Sequence, residues 1–218
     1  NFQFSILREC FNPHFFAYGQ FPLYLGYAIV YIFKLVAGDL NTPIGFQEGT
    51  FALRLISAVA SILLVYFVLR TVQLLLSIRS KRHSRPDRES FNVVQDKSDS
   101  HFRENDNWSI WITLLIVIFS PALIQFAHFG STESLLMLFY TWLMYESLLL
   151  MNKKITLKHF LFISATLSGL GVATKVSAVV FIALPVLGLF YFHRKNFLAL
   201  FKSLLLYILL TLLIGVLF

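Results

Sequence analysis

An all-α fold, a polytopic bundle of transmembrane helices, is what this sequence predicts, and three observations predict it. Charged residues make up 13% of the chain and hydrophobic residues 57%, whereas an ordinary soluble domain carries about 25% charged residues. Several apolar runs reach the roughly 20 residues that a helix needs to cross a hydrocarbon core. Phe alone contributes 24 of the 218 residues, far more than a soluble core of this length needs. These features place the chain in the membrane class before any motif is considered.

The elements follow in order. Segments 51–77, 108–127, 131–151, 159–174, 176–192 and 201–218 read as spanning helices, the fourth and fifth short and joined as a hairpin. Asn152-Lys153-Lys154 stops the third. Residues 78–107 hold Arg79, Lys81, Arg82, Arg85, Arg88, Lys97 and Arg103 among six acidic residues, with many Ser and Asn and few apolar side chains. Such a segment cannot bury a core and reads as a disordered loop. Its acids nearly cancel its bases, which argues against a nucleic-acid partner.

With that loop in the cytoplasm, 14 of the 18 Lys and Arg residues fall on the cytoplasmic side, and Arg8, Lys34, Arg54 and Lys175 remain for the other. That bias is the one expected of a multi-pass protein. Residues 1–50 are then non-cytoplasmic. Within them, segment 22–37 is short for a span and carries Gly26, Lys34 and several Tyr. It reads as a juxtamembrane helix lying at the interface, with Tyr24, Tyr27 and Tyr31 near the headgroups. The chain opens on Asn1 rather than Met and stops at Phe218 inside an apolar run, so it reads as a fragment truncated at both ends. Cys10 is the sole cysteine, and no disulfide can form within the chain.

Ionisable side chains at membrane depth are costly and by default mark function. Arg54 opens the first span, Glu133 opens the third, and Lys175 lies in the turn of the short hairpin, all on the non-cytoplasmic side. An acid and two bases can therefore converge on one cavity open to that side. Two plainer readings stand beside this one. Each charge can snorkel to water separately, or Glu133 can be a first-turn acid behind a Ser131 or Thr132 cap. Glu146 lies near the cytoplasmic end of its span, where it can reach the interface beside Lys153 and Lys154.

Asn12, His14 and Gln20, with Gln125 and His128, add polar groups at the level of Glu133. The histidines show no i, i+4 pair with a partner acid, so His14 and His128 read as hydrogen-bonding residues and no metal site is assigned. Pro121 would kink the second span and open room for a ligand. Gly169 and Gly171 follow no strand and read as close helix packing rather than a nucleotide loop.

Several of these stretches resemble a known family. Asn12-Pro13-His14-Phe15-Phe16, with Tyr18 and Pro22-Leu23-Tyr24, resembles the first outer loop of the multi-spanning GT-C glycosyltransferases, which include protein O-mannosyltransferases and lipid A aminoarabinose transferases. Phe51-Ala52-Leu53-Arg54-Leu55-Ile56-Ser57-Ala58 is similar to their next span. Phe119-Ser120-Pro121 and Gly130-Ser131-Thr132-Glu133-Ser134-Leu135-Leu136 are similar to the hairpin after it. Gly169-Leu170-Gly171-Val172-Ala173-Thr174-Lys175, with Pro185 following, resembles the family's glycine-rich helix ending in Thr-Lys.

The resemblance implies a GT-C-like fold and transfer of a sugar from a polyprenyl- or dolichyl-phosphate donor to a hydroxyl of a lipid, glycan or protein acceptor. It implies an integral, multi-pass location in a bacterial plasma membrane, or in the ER membrane of a eukaryote. Lys175 and Arg54 would bind the phosphate. Asn12, His14, Gln20 and His128 would line the substrate site, and Glu133 would be the candidate catalytic carboxylate. The family's principal acid would lie upstream of Asn1. The resemblance names no cofactor and leaves a divalent metal open. A transporter or lipid flippase without glycosyl transfer is the alternative, and a membrane subunit that has lost the acid is a third reading.

Overall fold

The computed structural model describes residues 20–39, 42–83 and 108–217. Among them every regular element is helical. In chain order these are α1 (Phe21–Ala37), α2 (Phe46–His83), α3 (Trp108–Ile118), α4 (Pro121–Phe129), α5 (Thr132–Met151) and α6 (Leu157–Thr174). A 3₁₀ segment (Val176–Ile182) then leads into α7 (Ala183–Phe192), and α8 (Phe197–Leu217) follows. Four of these, α2, α5, α6 and α8, are long and apolar enough to cross a membrane.

Burial ranks those helices. In α5 and α6, 56% of the most apolar stretch is buried within the protein, against 28% in α2 and 22% in α8. The first two therefore form the centre and the others its flanks. The α2–α5 seam is built from Ile56, Ala60 and Phe67 facing Leu135, Leu138, Phe139 and Leu143. Phe67 stacks on Trp142 with centroids 4.6 Å apart, a pair worth about 1 kcal/mol beyond its buried area. A second cluster gathers Leu150, Phe160, Leu161, Leu189 and Leu200, so the end of α5, the start of α6, the end of α7 and the start of α8 meet at one end of the bundle.

Small residues allow the closest approach. A Cβ on Gly169 would come within 2.8 Å of Ile214 Cβ and 2.9 Å of Thr211 O. Beside that contact the buried hydroxyls of Ser168 and Tyr207 lie 2.7 Å apart. In a bilayer, where apolar burial between helices gains little, such contacts and shared hydrogen bonds hold helices together. The close packing expected of Gly169 is present, against α8.

Several elements differ in extent from the sequence reading. The expected span 176–192 is a 3₁₀ segment followed by the ten-residue α7, and α8 starts at Phe197, ahead of the expected 201–218 span. α2 starts at Phe46 and runs to His83, past both limits of the expected 51–77 span. Arg79, Lys81 and Arg82 are good helix formers, and no proline interrupts before Pro86. The remainder of the expected loop, 84–107, lies outside the described residues. The expected span 108–127 is two helices, parted at Phe119 and Ser120. Ser120 is extended (φ −64°, ψ 116°) because Pro121 follows it.

Segment 22–37 is helical and runs back along the first turns of α2. Lys34 meets Glu48, and Gly26 meets Ala52, Leu53 and Ile56. The buried face is Gly26, Val30 and Lys34, a helical i, i+4, i+8 stripe. Tyr27 and Tyr31 stack on each other at the exposed face. Lys34 is 8% exposed. Its ammonium donates to Thr42 O (3.1 Å), Thr42 Oγ1 (2.9 Å) and Pro43 O (3.2 Å) and pairs with Glu48 at 3.2 Å.

Candidate functional site

α5 begins where α6 ends. At that junction the Lys175 ammonium donates to Glu133 Oε1 at 2.8 Å. Glu133 Oε2 accepts from the Thr132 hydroxyl at 3.0 Å. Both charged side chains keep roughly a third of their surface exposed, 29% for Glu133 and 31% for Lys175.

Local structure dictates the encounter. Lys175 terminates α6 in an extended conformation (φ −160°, ψ 129°), its N–H still bonded to Gly171 O at 2.9 Å. Glu133 occupies the first turn of α5. A helix N-terminus favours an anion and a C-terminus a cation, so each member of the pair sits at the helix end that suits its charge. Ser131 occupies the N-cap position of α5 but makes no side-chain cap bond. Its carbonyl instead accepts the Ser57 hydroxyl at 2.9 Å, which ties the start of α5 to α2. A cap pair of Ser131 with Glu133 is therefore not what holds the carboxylate.

The pair opens onto a cleft of about 600 Å³. Its polar lining is Ser120, Glu133, Tyr140, Thr141, Lys175 and Ser177. The rest is apolar, with Leu64 and Val68 from α2, Val117 from α3, Leu123 and Phe126 from α4, Leu136 and Met137 from α5, and Phe181. The break at Ser120–Pro121 turns α4 so that both it and α3 contribute a wall. A volume of this size, mostly apolar with a few convergent polar groups, is the usual make-up of a small-molecule site.

The site residues expected from the sequence divide. Glu133 and Lys175 come together. Arg54 does not join them: its side chain is exposed and does not line the cleft. Its backbone packs against the turn before Glu133, where a Cβ on Gly130 would lie 3.0 Å from Arg54 N. Gly130 has φ +67°, so both conformation and space call for glycine there. His128 is exposed, edge-on to Phe129. Gln20 accepts from the Tyr24 hydroxyl at 2.6 Å, away from the cleft. Asn12 and His14 lie outside the described residues. Thr174 donates to Leu170 O at 2.7 Å within its own helix.

Two features were missed. Tyr140 and Thr141 line the cleft at i+7 and i+8 from Glu133, a face legible from helical periodicity once Glu133 is chosen as its origin. Glu146 does not reach the interface as expected: it is 6% exposed. Its Oε1 accepts the Trp142 indole N–H at 3.2 Å, while Oε2 is buried without a hydrogen-bond partner, 3.8 Å from His159 Nε2. Among the described residues no three His, Cys, Asp or Glu side chains gather as metal ligands.

No family model, curated protein or solved structure matches the chain.

Proposed function

We propose that the chain is the helical core of a multi-pass integral membrane glycosyltransferase, acting on a sugar carried by a polyprenyl or dolichyl phosphate. The observation that carries this reading is the Glu133–Lys175 pair at the edge of an otherwise apolar cleft. A lipid-phosphate sugar needs a cation for its phosphate and apolar walls for its isoprenoid tail, and this cleft offers both. The order of the GT-C-like motifs along the chain supports the same reading.

In the reaction, the acceptor oxygen forms a bond to the anomeric carbon as the bond from that carbon to the phosphate oxygen breaks. The phosphate leaves with the electron pair, and the acceptor proton passes to a carboxylate. Lys175 stabilises the charge that grows on the phosphate, most effectively where water is scarce. The incoming phosphate competes with Glu133 for the Lys175 ammonium. Glu133, released, is then free to accept a hydrogen bond from the acceptor or the sugar. In this arrangement the Lys175–Glu133 ion pair is exchanged for one between Lys175 and the substrate phosphate.

The test is transfer from a radiolabelled polyprenyl-phosphate sugar by the full protein in lipid. Lys175→Ala is expected to lower turnover by about 100-fold, the usual cost of losing one preorganised donor to a developing anion, with expression preserved. Activity within about twofold of wild type would remove Lys175 from the site.

One observation favours a second reading, a transporter or flippase for lipid phosphates. Among the described residues Glu133 is the sole carboxylate lining the cleft, and Lys175 already engages it. Binding of the labelled lipid without transfer to any hydroxyl acceptor would select that alternative.

A further inference from the structure

The opposite end of the bundle carries a different signal. There the α5–α6 turn and the α7–α8 turn lie over one shared cluster of Leu150, Phe160, Leu189 and Leu200. Lys153, Lys154, Lys158, Arg194, Lys195 and Lys202 all belong to these turns and the helix starts beside them, and all are exposed. Among the described residues none of the six forms an ion pair. From residue 134 to the end of the chain the only acid is Glu146, and it is buried.

Backbone geometry singles out one of these cations. Among the described residues, positive φ occurs at Gly38, Gly130 and Lys153, each just past a helix end. The first two are glycine, as the left-handed exit favours. α5 leaves through Lys153 at φ +55°, with Lys153 N bonded to Leu150 O and Lys154 N to Leu149 O, both at 2.9 Å. Lysine is disfavoured in that conformation, where glycine or asparagine is the usual occupant. Asn152, which suits the position, stands one residue too early. A non-glycine residue held in the left-handed region at a turn points to a use for its side chain.

We propose that this basic end binds the phosphate headgroups of anionic membrane lipids, with Lys153 at the centre of the contact. Lipid is favoured over a soluble anion because large apolar side chains border the same cations. Phe197, Leu198 and Phe201 are 80%, 64% and 57% exposed in the first turns of α8, beside Lys195 and Lys202. The Arg194 guanidinium lies over the Tyr191 ring at 5.5 Å, a pairing that suits the bilayer interface. The surface thus offers apolar anchors to acyl chains and ammonium groups to phosphates at one level. The inference is independent of glycosyl transfer.

The full chain in dodecyl maltoside micelles is titrated with phosphatidylglycerol or phosphatidylcholine, and bound lipid is counted by native mass spectrometry. Wild type is expected to prefer phosphatidylglycerol, losing about fivefold in preference for each neutralised cation. Lys153→Gly relieves the backbone and keeps the fold, so it is expected to melt higher while losing that factor. Lys153→Gln with Lys154→Gln, Lys195→Gln and Lys202→Gln is expected to abolish the preference. Equal binding of the two lipids by wild type overturns the proposal. So does an unchanged preference in Lys153→Gly, or displacement of phosphatidylglycerol by millimolar inorganic phosphate, which would assign the patch to soluble anions.

Discussion

α5 carries one carboxylate in its first turn and another near its last, and their surroundings contrast. Glu133 stays partly wet, at the helix end that favours an anion, bonded to an ammonium at 2.8 Å and to a hydroxyl. Glu146 is 6% exposed, with one oxygen on an indole N–H and the other lacking a hydrogen bond. At the Glu133 end Lys175 joins its acid directly. At the other end the cations stay at the surface while the acid is buried beneath them. Sequence distance from a lysine is thus a poor guide to pairing. Lys153 and Lys154 follow Glu146 closely along the chain yet do not pair with it, whereas Lys175 reaches Glu133 from another helix.

Four changes break or sharpen this contrast. The largest expected effect is the roughly 100-fold loss of transfer in Lys175→Ala, read in the radiolabel assay. Glu146→Gln in the same assay is expected to leave transfer unchanged, because Glu146 does not line the cleft.

Next is the stability of the pair itself. Glu133→Leu removes the carboxylate that accepts from the Lys175 ammonium and is expected to cost about 2 kcal/mol, less than for a fully buried pair because both side chains are partly solvated. Lys175→Met with Glu133→Leu is expected to recover most of that in thermal melts while transfer remains lost. A double variant that loses the sum of the separate Glu133→Leu and Lys175→Met costs would show that the two side chains are not coupled.

The third is Glu146→Gln. The amide keeps an acceptor for Trp142 and removes a buried carboxylate, so melting is expected to change by less than about 1 kcal/mol. A loss above about 2 kcal/mol would show that the orphan oxygen has a partner that matters. The smallest effect is Lys153→Gly, which should stabilise the fold by up to about 1 kcal/mol through release of its left-handed backbone. A lower melting temperature would mean the lysine itself supports the turn.

Much of the helical architecture is legible in the chain. Long apolar runs announce α2, α5, α6 and α8, Pro121 marks the break before α4, and Asn152-Lys153-Lys154 marks the end of α5. These are local signals, since apolar length, proline sterics and polar stops act on neighbouring residues. The site is legible only in part. Glu133 and Lys175 stand out as charges in apolar surroundings, but nothing in their spacing shows that Arg54, equally conspicuous, does not line the cleft. Tyr140 and Thr141 carry no charge to draw notice. The packing of α1 along α2 is not legible in its composition. The Gly26, Val30 and Lys34 stripe becomes meaningful only when α2 lies against it.

By itself the sequence determined that this protein is helical, which stretches are apolar enough to cross a membrane, and that few charges lie at depth, because hydrophobic run length and charge scarcity are properties of the chain alone. Only the tertiary structure decided which of those charges meet. The rotation and closeness of two helices depend on side chains distant in sequence, such as Gly130 against Arg54 and Gly169 against Ile214. Displacing either contact by a Cβ would shift where a carboxylate and an ammonium point.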